Sequence, residues 1–286
     1  MNPITRTKVT IDTAGAKVIS WNLTEGYNNG APIEFYIDWA RSGGDWTEVA
    51  GPLTDVCTYT DAPRYNWNKD RDLYYRLRFT DNAGQEHVGQ PAKAGDGFLN
   101  KHDWLIFREI LRKECLLLSK YTGMPGEFLR RKHWGVKCPI CLDYDTEEVV
   151  DGNCAACLGT RFVGGYYESI AMNVMEQKHP VTDKKTEATG SLGTMDDQSI
   201  TVRALAFPMQ DSMDLWTNTA NNDRYIIRKI TPIVSFKGII ISVLMDLQKS
   251  PYTDIVYDAP VDISSQTDNI TPGLDNGWRG NLDDEY

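Results

Sequence analysis

The stretch Cys138-Pro-Ile-Cys141, twelve intervening residues and Cys154-Ala-Ala-Cys157 decides how this chain is read. Two C-x2-C pairs at this separation are what a four-thiolate zinc site requires. Each pair sits on a tight turn that aims two sulfurs at one point, and the connecting segment brings the turns together. Two disulfides or four free thiols are the other readings of the same residues. A redox dithiol needs only one C-x2-C, beside a βαβ pattern that the chain lacks. Four thiolates close the coordination shell and leave no position for water or substrate, so the expected role is structural and not catalytic. The expected ligands are Cys138, Cys141, Cys154 and Cys157, and the expected ion is Zn2+.

Outward from the cysteines, residues 143–153 carry an Asp-Gly turn signal and read as a hairpin or loop. Gly159 follows the second pair where backbone passes close to the metal loop, and Gly164-Gly165 permits a kink before the next strand. Before the first pair stands Arg130-Arg-Lys-His-Trp-Gly-Val-Lys137. It reads either as a nucleic-acid patch or as cations offsetting the −2 charge of zinc with four thiolates. His133 could replace a thiolate, but four cysteines already fill the site.

Further upstream, Asn100 is placed to cap a helix with Asp103 in its first turn. Apolar residues at 104, 107, 111, 115 and 118 give an amphipathic helix of about five turns. Leu105, Ile106, Ile110, Leu116 and Leu117 widen the apolar stripe beyond one face, so burial on two sides is expected, between domains or against a neighbouring subunit. Gly123-Met-Pro125 ends the helix.

Residues 1–92 alternate apolar and polar in short runs: 8–12, 16–21, 33–39, 46–49, 58–61 and 73–79. Period-2 alternation with this turn spacing predicts an antiparallel sandwich. Downstream, strands are expected at Ser199–Phe207, Asp223–Ile230 and Ile239–Leu247, with residues 181–190 as a polar exposed loop. From Pro251 onward the chain has eight acidic residues, one Arg and little periodicity, the composition of a tail that cannot bury a core alone. Tyr252, Ile255, Tyr257, Ile263, Ile270, Leu274, Trp278 and Tyr286 are anchors that favour an arm docking on a neighbour over a purely solvating tail.

The totals fit this division. A length of 286 residues suggests about two domains or three small ones. An apolar share of 41% and a charged share of 24% are those of a soluble globular chain. A net charge of −10 argues against general binding to nucleic-acid phosphates. No apolar run approaches the ~20 residues of a membrane span, and the start has no apolar core of a signal peptide. Four of six cysteines fall in the metal pattern, which suits assembly in a reducing cytoplasm. Cys57 and Cys115 lie in apolar segments and are expected to be buried and inert.

Val18-Ile-Ser-Trp21, Tyr59-Thr-Asp61 and Tyr74-Tyr-Arg-Leu-Arg-Phe-Thr-Asp-Asn-Ala-Gly84 resemble the fibronectin type III family over about ninety residues. The resemblance implies that Trp21 is core and that Tyr74 or Tyr75 is the corner tyrosine; the region from Arg64 to Arg71 is longer and more polar than the family's corner. Such modules are adhesive or spacing units. Tyr27, Trp46, Tyr65 and Trp67 are either partner- or sugar-binding loop aromatics or ordinary surface residues.

A second resemblance runs through the cysteines. Cys138 to Cys157, continued by Leu158-Gly-Thr-Arg-Phe-Val-Gly-Gly-Tyr-Tyr167, is similar to virion proteins of the tailed-phage head–tail neck. Asp214-Leu-Trp-Thr-Asn, Asn222-Asp-Arg-Tyr-Ile-Ile and the run from Gly238 to Leu247 resemble the small β-barrel of head-closure and neck proteins, which form rings under the portal. An unrelated small antiparallel barrel is the alternative for that segment. One half-unit also resembles chaperone ribbons of repeated C-x2-C-x-G-x-G, with Arg161 where glycine is expected.

No catalytic constellation is visible: His87, His102, His133 and His179 stand apart from any nucleophile, and no Gly-rich phosphate loop follows a strand. The expected architecture is mainly β and multidomain. It comprises a fibronectin type III-like sandwich (1–92), linker and helix (93–135), a zinc ribbon (136–168), a small β-barrel (169–258) and an acidic arm (259–286). By resemblance the chain is a non-enzymatic virion protein, assembled in the host cytoplasm as a homo-oligomeric ring. It would contact portal, adaptor or tail proteins, with genomic DNA at most passing through and no membrane. The alternatives are a zinc-ribbon nucleic-acid or regulatory protein, and a tail, baseplate or adhesin component using the sandwich.

Overall fold

The computed structural model describes residues 2–12, 16–61, 73–94, 99–143, 146, 150–177 and 199–261. Period-2 alternation becomes two facing sheets. One holds β1 (Ile4–Ile11), β2 (Lys17–Leu23) and β5 (Thr58–Asp61), in the order β1-β2-β5. The other holds β3 (Glu34–Arg41), β4 (Thr47–Thr54), β6 (Leu73–Thr80) and β7 (Glu86–Val88), in the order β4-β3-β6-β7. All pairs are antiparallel. On β6 the burial alternates strictly, with Leu73, Tyr75, Leu77 and Phe79 inward. Trp21 is fully buried and packs on Phe35, as the fibronectin type III resemblance implies. Of the two corner candidates, Tyr75 is the buried one, and its hydroxyl donates to Asp61 at 2.7 Å.

The sandwich core is not filled by its own strands alone. Trp134 and Tyr167, from either side of the cysteines, belong to the same buried cluster as Trp21, Phe35 and Phe79. Trp134 meets Phe35 edge-on at 5.2 Å and Tyr167 at 5.6 Å.

Helix α1 (Lys101–Leu116) starts in a full capping box. Asn100 Oδ1 accepts from the Asp103 N–H, and the Asp103 carboxylate accepts from the Asn100 N–H. A wider π-helical turn, Leu117–Tyr121, extends it. Gly123 then passes so close to the Leu118 carbonyl that any Cβ would overlap it. Asp103, Phe107, Leu111, Cys115 and Leu118 face inward. The expected burial on two sides is not what the described residues form by themselves. Leu105 is 50% and Ile106 37% exposed on the outer face, while Ile110, Leu116 and Leu117 are half-buried. The inner face packs on Ile11 of β1 and on Ile239 and Ile241.

The second β region is one antiparallel sheet of seven strands: β8 (Gly126–Leu129), β9 (Ile170–Ala171), β10 (Met175–Glu176), β11 (Ser199–Leu205), β12 (Leu215–Asn218), β13 (Arg224–Phe236) and β14 (Ile239–Lys249). Their order is β10-β11-β14-β13-β12-β8-β9, an open half-barrel in which no described pair joins the end strands. Met172, Val202, Trp216, Ile227, Val243 and Met245 are among its core. β8 comes from the stretch before the cysteines and β9 from the stretch after them, so the cysteine loop hangs from the β8–β9 edge. A short 3-10 turn, Ile255–Asp258, covers the other end: the Arg224 guanidinium donates to the carbonyls of Val256 and Ala259, and Tyr252 stacks near Tyr257 at 5.2 Å. Among the tail anchors, Ile255 and Tyr257 dock against the chain's own Leu129, Leu158 and Tyr166. Ile263, Ile270, Leu274, Trp278 and Tyr286 lie outside the described residues, as do residues 64–71, the 181–190 loop and His179.

Candidate metal centre

The cysteine loop is built from turns and isolated bridges. Chain entering at Lys137 bridges chain leaving at Phe162, and the Cys138 N–H donates to the Arg161 carbonyl at 2.8 Å. Phe162 is buried, anchoring the exit. The second cysteine turn closes through the Leu158 N–H to the Cys154 carbonyl at 2.8 Å. It then runs through three left-handed residues, Leu158 (φ 48), Gly159 (φ 70) and Arg161 (φ 79). Arg161 therefore holds a conformation that glycine adopts more cheaply, at the position where the repeated ribbon unit calls for glycine. At Gly165 a Cβ would lie 2.8 Å from the Cys157 carbonyl, so this close return requires glycine.

These turns bring all four sequence-designated sulfurs together, within 4.8 Å of one another and all buried. Cys138 and Cys154 Sγ are 3.9 Å apart, and Cys141 and Cys157 Sγ 3.2 Å. A tetrahedral ion with metal–sulfur bonds of about 2.3 Å has sulfur–sulfur edges of about 3.8 Å. The set therefore fits a four-coordinate ion after small adjustments. It does not fit disulfides, whose sulfurs lie at about 2.05 Å; all six cysteines are free thiols.

The electrostatics show what the cluster lacks without a cation. Burial, and then hydrogen bonding with Cys157, Cys138 and Cys154, pushes the Cys141 thiol far above its ordinary value. Burial likewise raises Cys157. At Cys138 burial works against ionisation, but N–H groups of Ile140 and Cys141 donate to its sulfur and the thiol falls below the ordinary value. Like charges this close cannot all ionise by themselves. A bound dication would draw the protons off, so metal affinity here rises with pH.

No protein-family model and no curated protein matches the chain. Two crystal structures of the pectate lyase Pel3 from Pectobacterium carotovorum are similar at 13% and 12% identity, with a TM-score of 0.26 for each. They cover 33% of this chain, which in turn spans 27% of theirs, and a likeness this low carries no argument.

Two cations of the basic run before the cysteines are turned inward and do not form an open patch. Arg130 and Lys132 are buried, 3% and 6% exposed. Arg130 crosses into the sandwich, where Nη2 donates to Asn22 Oδ1 at 2.5 Å and Nη1 to the carbonyls of Cys57 and Trp21 at 3.3 and 3.4 Å. Lys132 Nζ bridges Asp55 of the sandwich, at 2.8 Å, and the Val163 carbonyl of the cysteine loop, at 3.1 Å. Arg131 donates through its backbone to Asp214, at 2.8 Å, and through Nη2 to the Gly159 carbonyl, at 3.3 Å. The three cations thus tie sandwich, cysteine loop and half-barrel into one junction.

The described histidines do not converge on one another. His87 Nε2 pairs with Asp81 at 2.9 Å, and His102 is exposed on α1. The half-buried His133 has its pKa lowered by burial and then by Arg131. Cys57 and Cys115 are buried, 3% and 7% exposed, and burial pushes the Cys57 thiol up to about 11. Sequence reasoning missed Asp214, wholly buried at the junction, where its oxygens accept the backbone N–H groups of Arg131 and Asp211. The sequence carried no signal for it, since an acidic residue before Leu215-Trp216-Thr217 is unusual only once that run is seen to be buried.

Proposed function

We propose that this chain is a structural protein of a tailed-phage virion, a neck or head–tail connector component that assembles as a homo-oligomeric ring and carries structural zinc. One observation carries the structural reading. The four-cysteine centre is closed on itself and welded into its neighbours by Arg130, Arg131 and Lys132, the arrangement of a brace. Zinc is the best ion for four thiolates at tetrahedral spacing. The phage assignment rests on the resemblance of the stretch from Cys138 to Tyr167 and of the later strands to neck proteins. Its neighbours would be further copies and portal, adaptor or tail proteins, in a particle assembled in the host cytoplasm, with DNA at most passing through. No enzyme activity is proposed. No described helix is long and apolar enough to cross a membrane.

The nucleic-acid alternative is disfavoured because two cations of its patch are buried in protein contacts. The adhesin alternative loses support too: Trp46 lies under Arg76 at 4.4 Å, Tyr27 packs on Phe79 at 5.9 Å, and Tyr65 and Trp67 lie outside the described residues. The test has two arms. Purified chain should carry one zinc by elemental analysis, and virions probed with antibody should show it at the neck in negative-stain images. Zinc well below one per chain removes the brace; a chain absent from particles and monomeric at all concentrations overturns the connector.

A further inference from the structure

The outer face of α1 carries an apolar stripe that the described residues leave uncovered. Leu105, Ile106 and Tyr121 are exposed, and Leu116 and Leu117 are half-buried. Residues eleven apart lie about three turns apart on one line of a helix, so Leu105 stands in line with Leu116 and Ile106 with Leu117. Single exposed apolar residues are ordinary, but a continuous stripe of them marks a contact surface.

Cations edge this stripe. Lys101, Lys113 and Lys120 are exposed, and Arg108 and Arg112 are partly so. Of the acidic residues on the helix, Asp103 turns to Lys237 and Glu114 to Arg203. Glu109 alone remains on the outer side, shared by Arg112 and Lys113. The face is therefore apolar and basic, on a chain whose net charge is −10.

A segment of the same chain has the opposite character. Residues 262–286, beyond the described part, hold six acidic residues and one Arg. Ile263, Ile270, Leu274, Trp278, Leu282 and Tyr286 are spaced among them. The described chain ends within reach of the helix. Val261 belongs to the buried cluster around Leu129, and Leu129 follows Tyr121 by eight residues, an extended span of at most about 29 Å. The segment after Val261 spans up to about 80 Å when extended, against about 31 Å for the helix and its wider last turn.

We propose that residues 262–286 dock on the outer face of α1 of the same chain. Their apolar side chains cover the stripe from Leu105 to Leu117, and their carboxylates face the lysines and arginines along its edges. Opposite charge selects the surface, and apolar burial holds the segment there. The tether gives the segment an effective concentration of the order of millimolar at its own helix, above that of a second copy in dilute solution. The docking needs neither the ring nor the metal centre, so it can fail while both stand.

The test is carbodiimide cross-linking of the full chain, which joins a carboxylate to a lysine in contact with it, on an equal mixture of isotopically heavy and light copies. Peptide mass spectrometry should find carboxylates of 262–286 joined to Lys113 or Lys120, with both halves of each link heavy or both light. The decisive variant is Leu105→Ser with Ile106→Ser, which keeps every cation and changes only exposed side chains. Its far-UV spectrum should match wild type, and the yield of those links should fall roughly tenfold, the scale for losing two apolar contacts. No link between the segment and the helix lysines overturns the proposal. So do links of mixed isotope, which put a neighbouring copy's segment on the helix, and a yield unchanged in the variant.

Discussion

Asp214 shows how one residue can set the pH response of a whole junction. Burial, opposed by Arg130 and two backbone N–H bonds, raises its pKa to about 7. In the unfolded chain the same carboxyl titrates near its ordinary value of 3.8. Between these values the folded state binds more protons than the unfolded one, so this site makes stability fall as pH rises from about 4 to 7. The carboxylates held low, Asp81 by His87 and Glu109 by Arg112, act in the opposite sense, and their contribution is lost only as pH falls below about 4. Denaturant melts of Asp214→Asn should therefore show a flatter stability profile than wild type between pH 4 and 7. An unchanged slope would mean that Asp214 does not titrate there. The cysteines were legible from spacing alone because metal ligation imposes a strict pattern. Asp214 was not, because an acidic residue becomes unusual only once its surroundings are known. The basic run misled for the same reason: a sequence gives charge but not burial, and Arg130 and Lys132 are pulled inside by oxygens far apart along the chain, Asn22 and Asp55 on one side, Val163 on the other.

At the scale of elements, β8 and β12 meet through a missing side chain. A Cβ on Gly126 would fall 2.4 Å from the Trp216 indole, and that indole donates to the Met172 carbonyl at 3.0 Å. Gly126→Ala should cost about 1–3 kcal/mol, the range for overpacking a filled core, read from the denaturant midpoint. A melt indistinguishable from wild type would show that the indole can move aside. The strong strands were readable because their alternation or apolar runs are long. β8, β9 and β10 were not, being two to four residues long and held by their neighbours. The outer face of α1 teaches a related lesson. An apolar stripe wider than one face predicts a second partner, between domains or in a neighbouring subunit, and contacts among the described residues leave Leu105 and Ile106 exposed. On the proposed metal-centre reading, the cysteine loop depends on an ion held by its four sulfurs. Chelation, or Cys154→Ser, should raise amide exchange across residues 136–166 while β13 and β14 stay protected. Equal protection with and without metal would contradict a structural role for the ion.

At the scale of the molecule, the parts do not end where their sequence signatures end. The sandwich resemblance stops near residue 92, yet Trp134 and Tyr167 complete its core. Removing the ion should therefore loosen the sandwich as well as the loop, and the Trp21 and Trp134 fluorescence should red-shift together on chelation. A shift confined to the loop would separate the two parts. The shared core also has a consequence for how the chain is made. A ribosome delivers the sandwich strands first, at roughly 5–20 residues per second. The nascent sandwich must then wait, open at one end, through the helix, the first cysteine turn and the second, until Tyr167 emerges. During those seconds its exposed apolar floor is the point most open to chaperones and to mispairing with other nascent chains. On the proposed structural-zinc reading, uptake of the ion by the four cysteines would set when that interval closes.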